Sequence, residues 1–324
     1  MDPLGVSKPC PKWRTLRKRN MVDGTFFTPS CVGDLERMVW LRRSIETFLD
    51  EPMRHIVAIP QKDMGKFQNA LGRSSELEFV CQEDLVDRGF YPDWLYRLTQ
   101  RLAPGQAWRL EDRAGKPGWI VQQIAKLASN RLIGDGPIIF LDSDTFFYRR
   151  FSTENDLGLR NDKRILVRIH PESESAKHRH HIINSRRFFD LPEGSTDATY
   201  MGSPAIWYPD WLSLMQQHIE QIRGKPWQKA LLDADFNISE YTLYGVFIDE
   251  LLKPGNLTAR DRPYSLIAWD RASFDALRSD ILSGRPLPAD QLTLCIQSNL
   301  NIPVAEYEDM LRMILTQANT EGEI

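Results

Sequence analysis

Pro137-Ile138-Ile139-Phe140-Leu141-Asp142-Ser143-Asp144-Thr145-Phe146-Phe147 joins an unbroken apolar run to a pair of aspartates. A run apolar on both faces fits a strand of a parallel sheet covered by helices on both sides. Ligands of open α/β sheets collect at the carboxyl ends of the strands, which is where Asp142 and Asp144 fall. In a chain that stays extended, positions i and i+2 face one side, so both carboxylates are expected on that side. Two hard oxygen donors there suit Mg²⁺ or Mn²⁺, with substrate phosphates completing the shell. They would otherwise repel at a half-buried strand end, and a divalent cation offsets that cost. The plainer alternative is a solvated turn in which one aspartate caps the next element.

The flanking segments set this strand in a series. Thr25–Thr28 reads as a strand running into a turn at Pro29-Ser30-Cys31-Val32-Gly33. From Leu35 the apolar positions Met38, Val39, Ile45, Phe48 and Leu49 recur at helical spacing, with Asp34 as the expected N-cap. His55–Pro60 is a buried strand, Asp63–Leu71 a weaker helix and Leu77–Cys81 a third strand. Ile120, Val121, Ile124, Leu127 and Ala128 mark a further helix. Strands alternating with helices imply an α/β fold with a mostly parallel sheet. Beyond residue 150 the pattern loosens. Arg164–Ile169 reads as a strand and Pro171–His181 as a polar loop. Helices are expected at 209–223, 225–233, 239–252 and 304–317, with a frayed end after them.

The chain has 324 residues, with 41 lysines and arginines against 44 aspartates and glutamates, a net charge of −3. That near-neutral balance argues against a nucleic-acid partner. Its apolar and charged fractions, 42% and 26%, exclude collagen-like, coiled-coil and wholly disordered chains. Cys10, Cys31, Cys81 and Cys295 form no C-x-x-C pair, so zinc-finger and thioredoxin-like chemistry is not expected, and reduced thiols are. With no spanning apolar stretch and no signal-peptide core, the cytoplasm is the expected location. Residues 1–22 form a basic arm carrying Lys8, Lys12, Arg14, Arg17, Lys18 and Arg19. A solvated tail is its plain reading. Peripheral contact with an anionic inner-membrane surface is the sharper one.

Several motifs recur in a known order: Thr28-Pro29-Ser30, His55–Pro60, Gly118–Leu127 and Phe140-Leu141-Asp142-Ser143-Asp144. Tyr200–Pro204, Ile238–Gly245 and Ile296–Asn299 follow. In this order the chain resembles GT-A type glycosyltransferases, and more narrowly the bacterial DUF6492 family of glycosyltransferase-like proteins linked to surface polysaccharides, over roughly residues 24–310. The resemblance implies a Rossmann-like, mostly parallel GT-A sheet flanked by helices, with a helical acceptor-side and C-terminal part. Residues 23–150 would be the donor-binding half and 151–310 the acceptor half of one domain, with 311–324 as a tail. The implied function is metal-dependent transfer of a sugar from a nucleotide-diphosphate donor to a glycan or lipid-linked acceptor. Two alternatives stand beside it: an inactive sugar-binding scaffold of a polysaccharide assembly complex, and a hydrolase or nucleotidyltransferase using the same aspartates. Haloacid-dehalogenase phosphatases fit poorly, since their D-x-D-x-[T/V] slot holds Phe146 here.

On this reading Asp142 and Asp144 hold Mn²⁺ or Mg²⁺, which stabilises charge on the departing diphosphate. Thr28, Pro29, Ser30, Asp34, Asp63 and Ser143 are expected at the nucleotide, although turn and cap chemistry explains Ser30, Asp34 and Asp63 equally well. Gln122, Gln123 and Lys126 precede the metal strand, and Lys126 either faces phosphate or is an exposed helix lysine. Gly202, Trp207, Tyr241 and Tyr244 are the acceptor candidates, with Trp207 or Tyr208 stacking on a sugar or serving as core. Glu240 is the expected catalytic base for an inverting reaction and Asp235 its substitute, a first-turn structural role being the alternative for Glu240. No histidine follows His218, so the C-terminal histidine ligand of some GT-A enzymes has no counterpart. His178, His180 and His181 belong either to a solvated basic loop or to a phosphate-binding lid. Gln297 and Asn299 are further candidates for the donor pocket.

Overall fold

A computed structural model describes residues 24–86, 117–159, 163–169, 176–194, 197–234 and 238–321. The basic arm and Asp235 lie outside the described residues. Strands β1 (Thr25–Pro29), β2 (Arg54–Ile59), β3 (Leu77–Cys81) and β4 (Ile138–Phe140) alternate with helices α1 (Leu35–Phe48), α2 (Met64–Leu71) and α3 (Pro117–Leu127). The strands run parallel in the order β3-β2-β1-β4, with Phe27 opposite both Ile56 and Phe140. A short strand β7 (Ala205–Trp207) closes the edge antiparallel to β4. Strand order reverses on either side of β1, which leaves a crevice at the carboxyl ends of β1 and β4.

The apolar runs are buried as their composition requires. Phe26, Phe27, Ile56, Val57, Ile138, Ile139 and Phe140 are fully buried, and Met38, Leu41, Ile45 and Phe48 form the covered stripe of α1. Each such side chain contributes about 1.5–3 kcal/mol through burial. Asp34 precedes α1 but does not cap it. Its carboxylate accepts from Arg37 instead, at 3.2 Å.

After Asp144 the chain enters a second sheet. There β5 (Thr145–Phe147) pairs antiparallel with β10 (Thr293–Ile296), which pairs parallel with β9 (Ser265–Ala268). Two further strands, β6 (Arg164–Val167) and β8 (Leu257–Arg260), form a parallel pair. Helices α4 (Ala176–Phe188), α5 (Pro209–Arg223), α6 (Trp227–Leu232), α7 (Glu240–Val246), α8 (Arg271–Leu282) and α9 (Glu308–Glu321) complete the described elements. A π-helical segment, Phe247–Leu252, prolongs α7.

The expected polar loop is corrected at its end: α4 begins at Ala176 and takes in His178, His180 and His181. Ile182, Ser185 and Phe188 are buried at helical spacing, a stripe masked in the sequence by the charged residues between them. No described helix is long and apolar enough to cross a membrane.

Candidate functional site

A cleft with about 1010 Å³ of empty space, counting its open mouth, lies over the crevice. Its floor is Asp142, Ser143 and Asp144. Pro29 comes from the end of β1, Asp34 from the turn that leads into α1, and Gln122, Gln123 and Lys126 from α3. Gly202 and Ser203 precede β7, Ser239, Glu240 and Tyr241 open α7, and Gln297 follows β10.

The aspartates reach the cleft by a route other than the extended one expected. Thr145 N–H donates to the Asp142 carbonyl at 3.0 Å, so the chain turns between β4 and β5. Ser203 Oγ holds that turn, accepting from Asp142 N–H at 3.1 Å and from Thr145 Oγ1 at 3.0 Å. Ser143 Oγ donates to Ser30 Oγ at 2.8 Å, tying the turn to the end of β1.

Lys126 organises one wall. Its buried ammonium donates to Asp142 Oδ1 at 2.8 Å, to Glu240 Oε1 at 2.9 Å and to the Tyr241 hydroxyl at 2.7 Å. The Tyr241 hydroxyl in turn donates to Asp142 Oδ2 at 3.0 Å, so both oxygens of Asp142 have partners. Burial alone would pull the Lys126 pKa down, but the charges of Asp142 and Glu240 push it well above the ordinary lysine value. Burial, reinforced by Asp142, raises the Tyr241 pKa and keeps that phenol protonated.

Asp144 sits in a different setting. Its Oδ2 accepts from Ser298 N–H at 2.8 Å, and Cys295 Sγ lies 3.6 Å from its Oδ1. Burial, and then the charge on Asp142, raises its pKa to about 6. Gln123 brings an unsatisfied group to the cleft: its Nε2 is buried and has no hydrogen-bond partner among the described residues. Buried amide donors are almost always paired, so this one is suited to an incoming acceptor.

Other expected site residues lie off the cleft. Thr28 is fully buried, with Oγ1 2.9 Å from His55 Nε2 in a neighbouring strand. Ser30 is also fully buried and acts through Ser143. Asp63 accepts from Val32 N–H at 3.3 Å and is 3% exposed, the turn role rather than a nucleoside contact. Trp207 stacks on Tyr244 with ring centroids 4.5 Å apart, and both are core. The hydroxyls of Tyr244 and Tyr208 accept from the backbone N–H of Tyr208 and Ile165. Asn299 does not line the cleft, whereas Gln297 does.

Ile267 and Trp269 line the cleft but belong to no motif read from the sequence; Met201 and Ser203 fall within the Tyr200–Pro204 motif, and Cys295 was expected only as a reduced thiol. For Trp269 a signal existed: Asp270 and Ser273 directly follow it in the spacing of a capping box.

A family model described as a family of unknown function (DUF6492) matches residues 28–263. No curated protein matches the chain in sequence. Among solved structures, the apo form of mouse xyloside xylosyltransferase 1 is similar with a TM-score of 0.44 and 10% identity, covering 87% of this chain and 100% of that one. Core-mannan synthase A from Aspergillus fumigatus, in its Mn/GDP form, is similar with a TM-score of 0.46 and 8% identity, covering 75% of this chain and 74% of that one.

Proposed function

We propose that this chain, which belongs to the DUF6492 family, is a metal-dependent glycosyltransferase of the GT-A type. It would move a sugar from a nucleoside-diphosphate donor to a glycan or lipid-linked acceptor, in bacterial surface polysaccharide synthesis at the cytoplasmic side of the membrane. The observation that carries the reading is the convergence of Asp142 and Asp144 on one cleft at the point where strand order reverses.

The donor set fits Mn²⁺ or Mg²⁺. Asp144 is a buried carboxyl whose proton affinity is raised by burial and by the neighbouring carboxylate, and a cation favours its ionised form. Among the described residues no group of three or more histidine, cysteine, aspartate and glutamate side chains is placed to hold a metal ion, so phosphate and water oxygens would complete the shell around the two aspartates. When bound, the ion supplies neutralisation of the charge that grows on the departing diphosphate.

The chain's own groups supply binding and proton handling. Pro29, Asp34 and Ser143 form the nucleoside side, while Gln122 and the unsatisfied Gln123 amide meet donor oxygens. Lys126 pairs directly with both Asp142 and Glu240. Glu240 accepts the proton of the acceptor hydroxyl in an inverting transfer, and Gly202 and Tyr241 flank the acceptor. Calorimetric titration of UDP, GDP, dTDP and CMP with Mn²⁺ tests the site. Binding of at least one is expected, with its loss in Asp142→Ala and Asp144→Ala; unchanged titration of both variants refutes the assignment.

An inactive sugar-binding protein is the competing reading. One observation favours it: both oxygens of Asp142 are held by Lys126 and Tyr241. Slow Mn²⁺-dependent hydrolysis of a nucleotide sugar, absent in Asp144→Ala, excludes it.

A further inference from the structure

Strands β9 and β10 run parallel, with Ile267 opposite Cys295. Both residues line the cleft, and so do Trp269 and Gln297, two steps further along each chain. That is the repeat of extended backbone, which returns a side chain to the same face at every second residue. Trp269 is 43% exposed, against 2% for Trp207 and 7% for Tyr208, where stacking was expected. The backbone beneath it is held firmly. Trp269 N–H donates to Ser273 Oγ at 3.0 Å, and Asp270 caps α8 by accepting from Ser273 N–H at 2.7 Å.

A large indole is thus fixed at the rim of a cleft that is otherwise mostly carboxylate, amide and hydroxyl. Met201 and Ile267 add apolar surface to the same cleft. This division of surface matches a sugar ring. The negative face of an indole attracts the C–H-bearing face of a pyranose, while the ring's hydroxyl edge needs polar partners such as Gln297 and Ser298.

We propose that Trp269 is the platform on which the cleft holds a sugar ring, carried in by the donor or by the acceptor. The proposal rests on the reading of the cleft as a sugar-transfer site. The test uses the full-length chain and its Trp269→Ala and Trp269→Phe variants, whose thermal unfolding should match the wild type because the side chain is half exposed. Three sets of probes are titrated with Mn²⁺ present: UDP, GDP, dTDP and CMP; their common sugar conjugates; and methyl glucoside, galactoside, mannoside, xyloside and N-acetylglucosaminide, the last set by saturation-transfer NMR.

Trp269→Ala should bind the bare nucleotide as the wild type does and lose about 5- to 10-fold in affinity for a sugar-bearing probe, with Trp269→Phe recovering most of it. A loss in the conjugates assigns the ring to the donor, and a loss confined to the glycosides assigns it to the acceptor. Nucleotide binding with sugar affinity unchanged in Trp269→Ala overturns the platform and leaves the transferase reading intact. Glycoside binding that depends on Trp269, without any nucleotide binding, upholds the platform and overturns the transferase reading. A wild-type chain that binds no probe overturns both.

Discussion

Lys126 bonds three oxygens from a side chain only 5% exposed, so its removal does more than subtract a charge. Glu240 would be left buried without its cationic partner, a situation that costs about 3–5 kcal/mol. Lys126→Met should lower stability by about that amount in urea unfolding, and the added change Glu240→Gln should restore a large part of it, a coupling measured by the double-mutant cycle. A simple sum of the two single effects would show that the contact carries no coupling. Asp144 makes the opposite prediction. Its carboxyl holds a proton more tightly in the folded chain, with a pKa of about 6 against 3.8 for an ordinary aspartate. The folded state therefore binds more protons between those values, and stability falls as pH rises through about 6. In chelator-treated protein, Asp144→Asn should gain about 2 kcal/mol over the wild type between pH 4 and pH 8. A gap that does not change with pH would contradict the origin given for the shift. The aspartate pair was legible because a strand and a motif adjoin in sequence. Their partners were not: Ser298 and Lys126 meet them only through tertiary structure, and the turn at Ser143 broke the assumption of an extended chain.

Helix α7 carries Glu240 and Tyr241 to the cleft, and its depth is set at Gly245. A Cβ there would lie 2.0 Å from Tyr200 Cγ and 2.6 Å from Tyr200 Cβ. Those atoms are close to the backbone and have little room to move, and the Tyr200 hydroxyl is held by Asp249 at 2.9 Å. Gly245→Ala should cost about 1–3 kcal/mol of stability through overpacking and weaken nucleotide binding by displacing the start of α7. Denaturant midpoints and calorimetry check the two effects, and a variant as stable as the wild type would mean that α7 shifts freely. The alternation of β1 to β4 with helices could be read from periodicity because those strands are apolar throughout and their helices are amphipathic. Strands β8, β9 and β10 were not expected, since Leu257–Arg260, Ser265–Ala268 and Thr293–Ile296 each offer only two or three apolar residues beside one or two polar ones. Trp207 and Tyr244 show the converse failure. Aromatic residues near glycine looked like a sugar platform, yet β7 packs against β4 and turns them into core.

Strands from either side of residue 150 are each other's neighbours: β4 pairs with β7, and β5 with β10. One continuous hydrophobic core joins them, from Phe26 and Phe140 to Tyr244 and Ile296. A fragment of residues 24–150 would expose one edge of β4 and leave β5 without a partner. It should fail to give a cooperative thermal transition or dispersed NMR spectra on its own, whereas an autonomous melt of that fragment would contradict the shared core. The contact between Asp144 and Ser298 N–H has a consequence for biosynthesis. On the ribosome the acidic turn emerges long before the amide that holds it. Every nascent chain therefore passes through a stage in which the first half of its binding groove has been made and the far bank has not. A stop codon anywhere between Asp144 and Ser298 would release a polypeptide with its acidic motif intact and its groove unfinished.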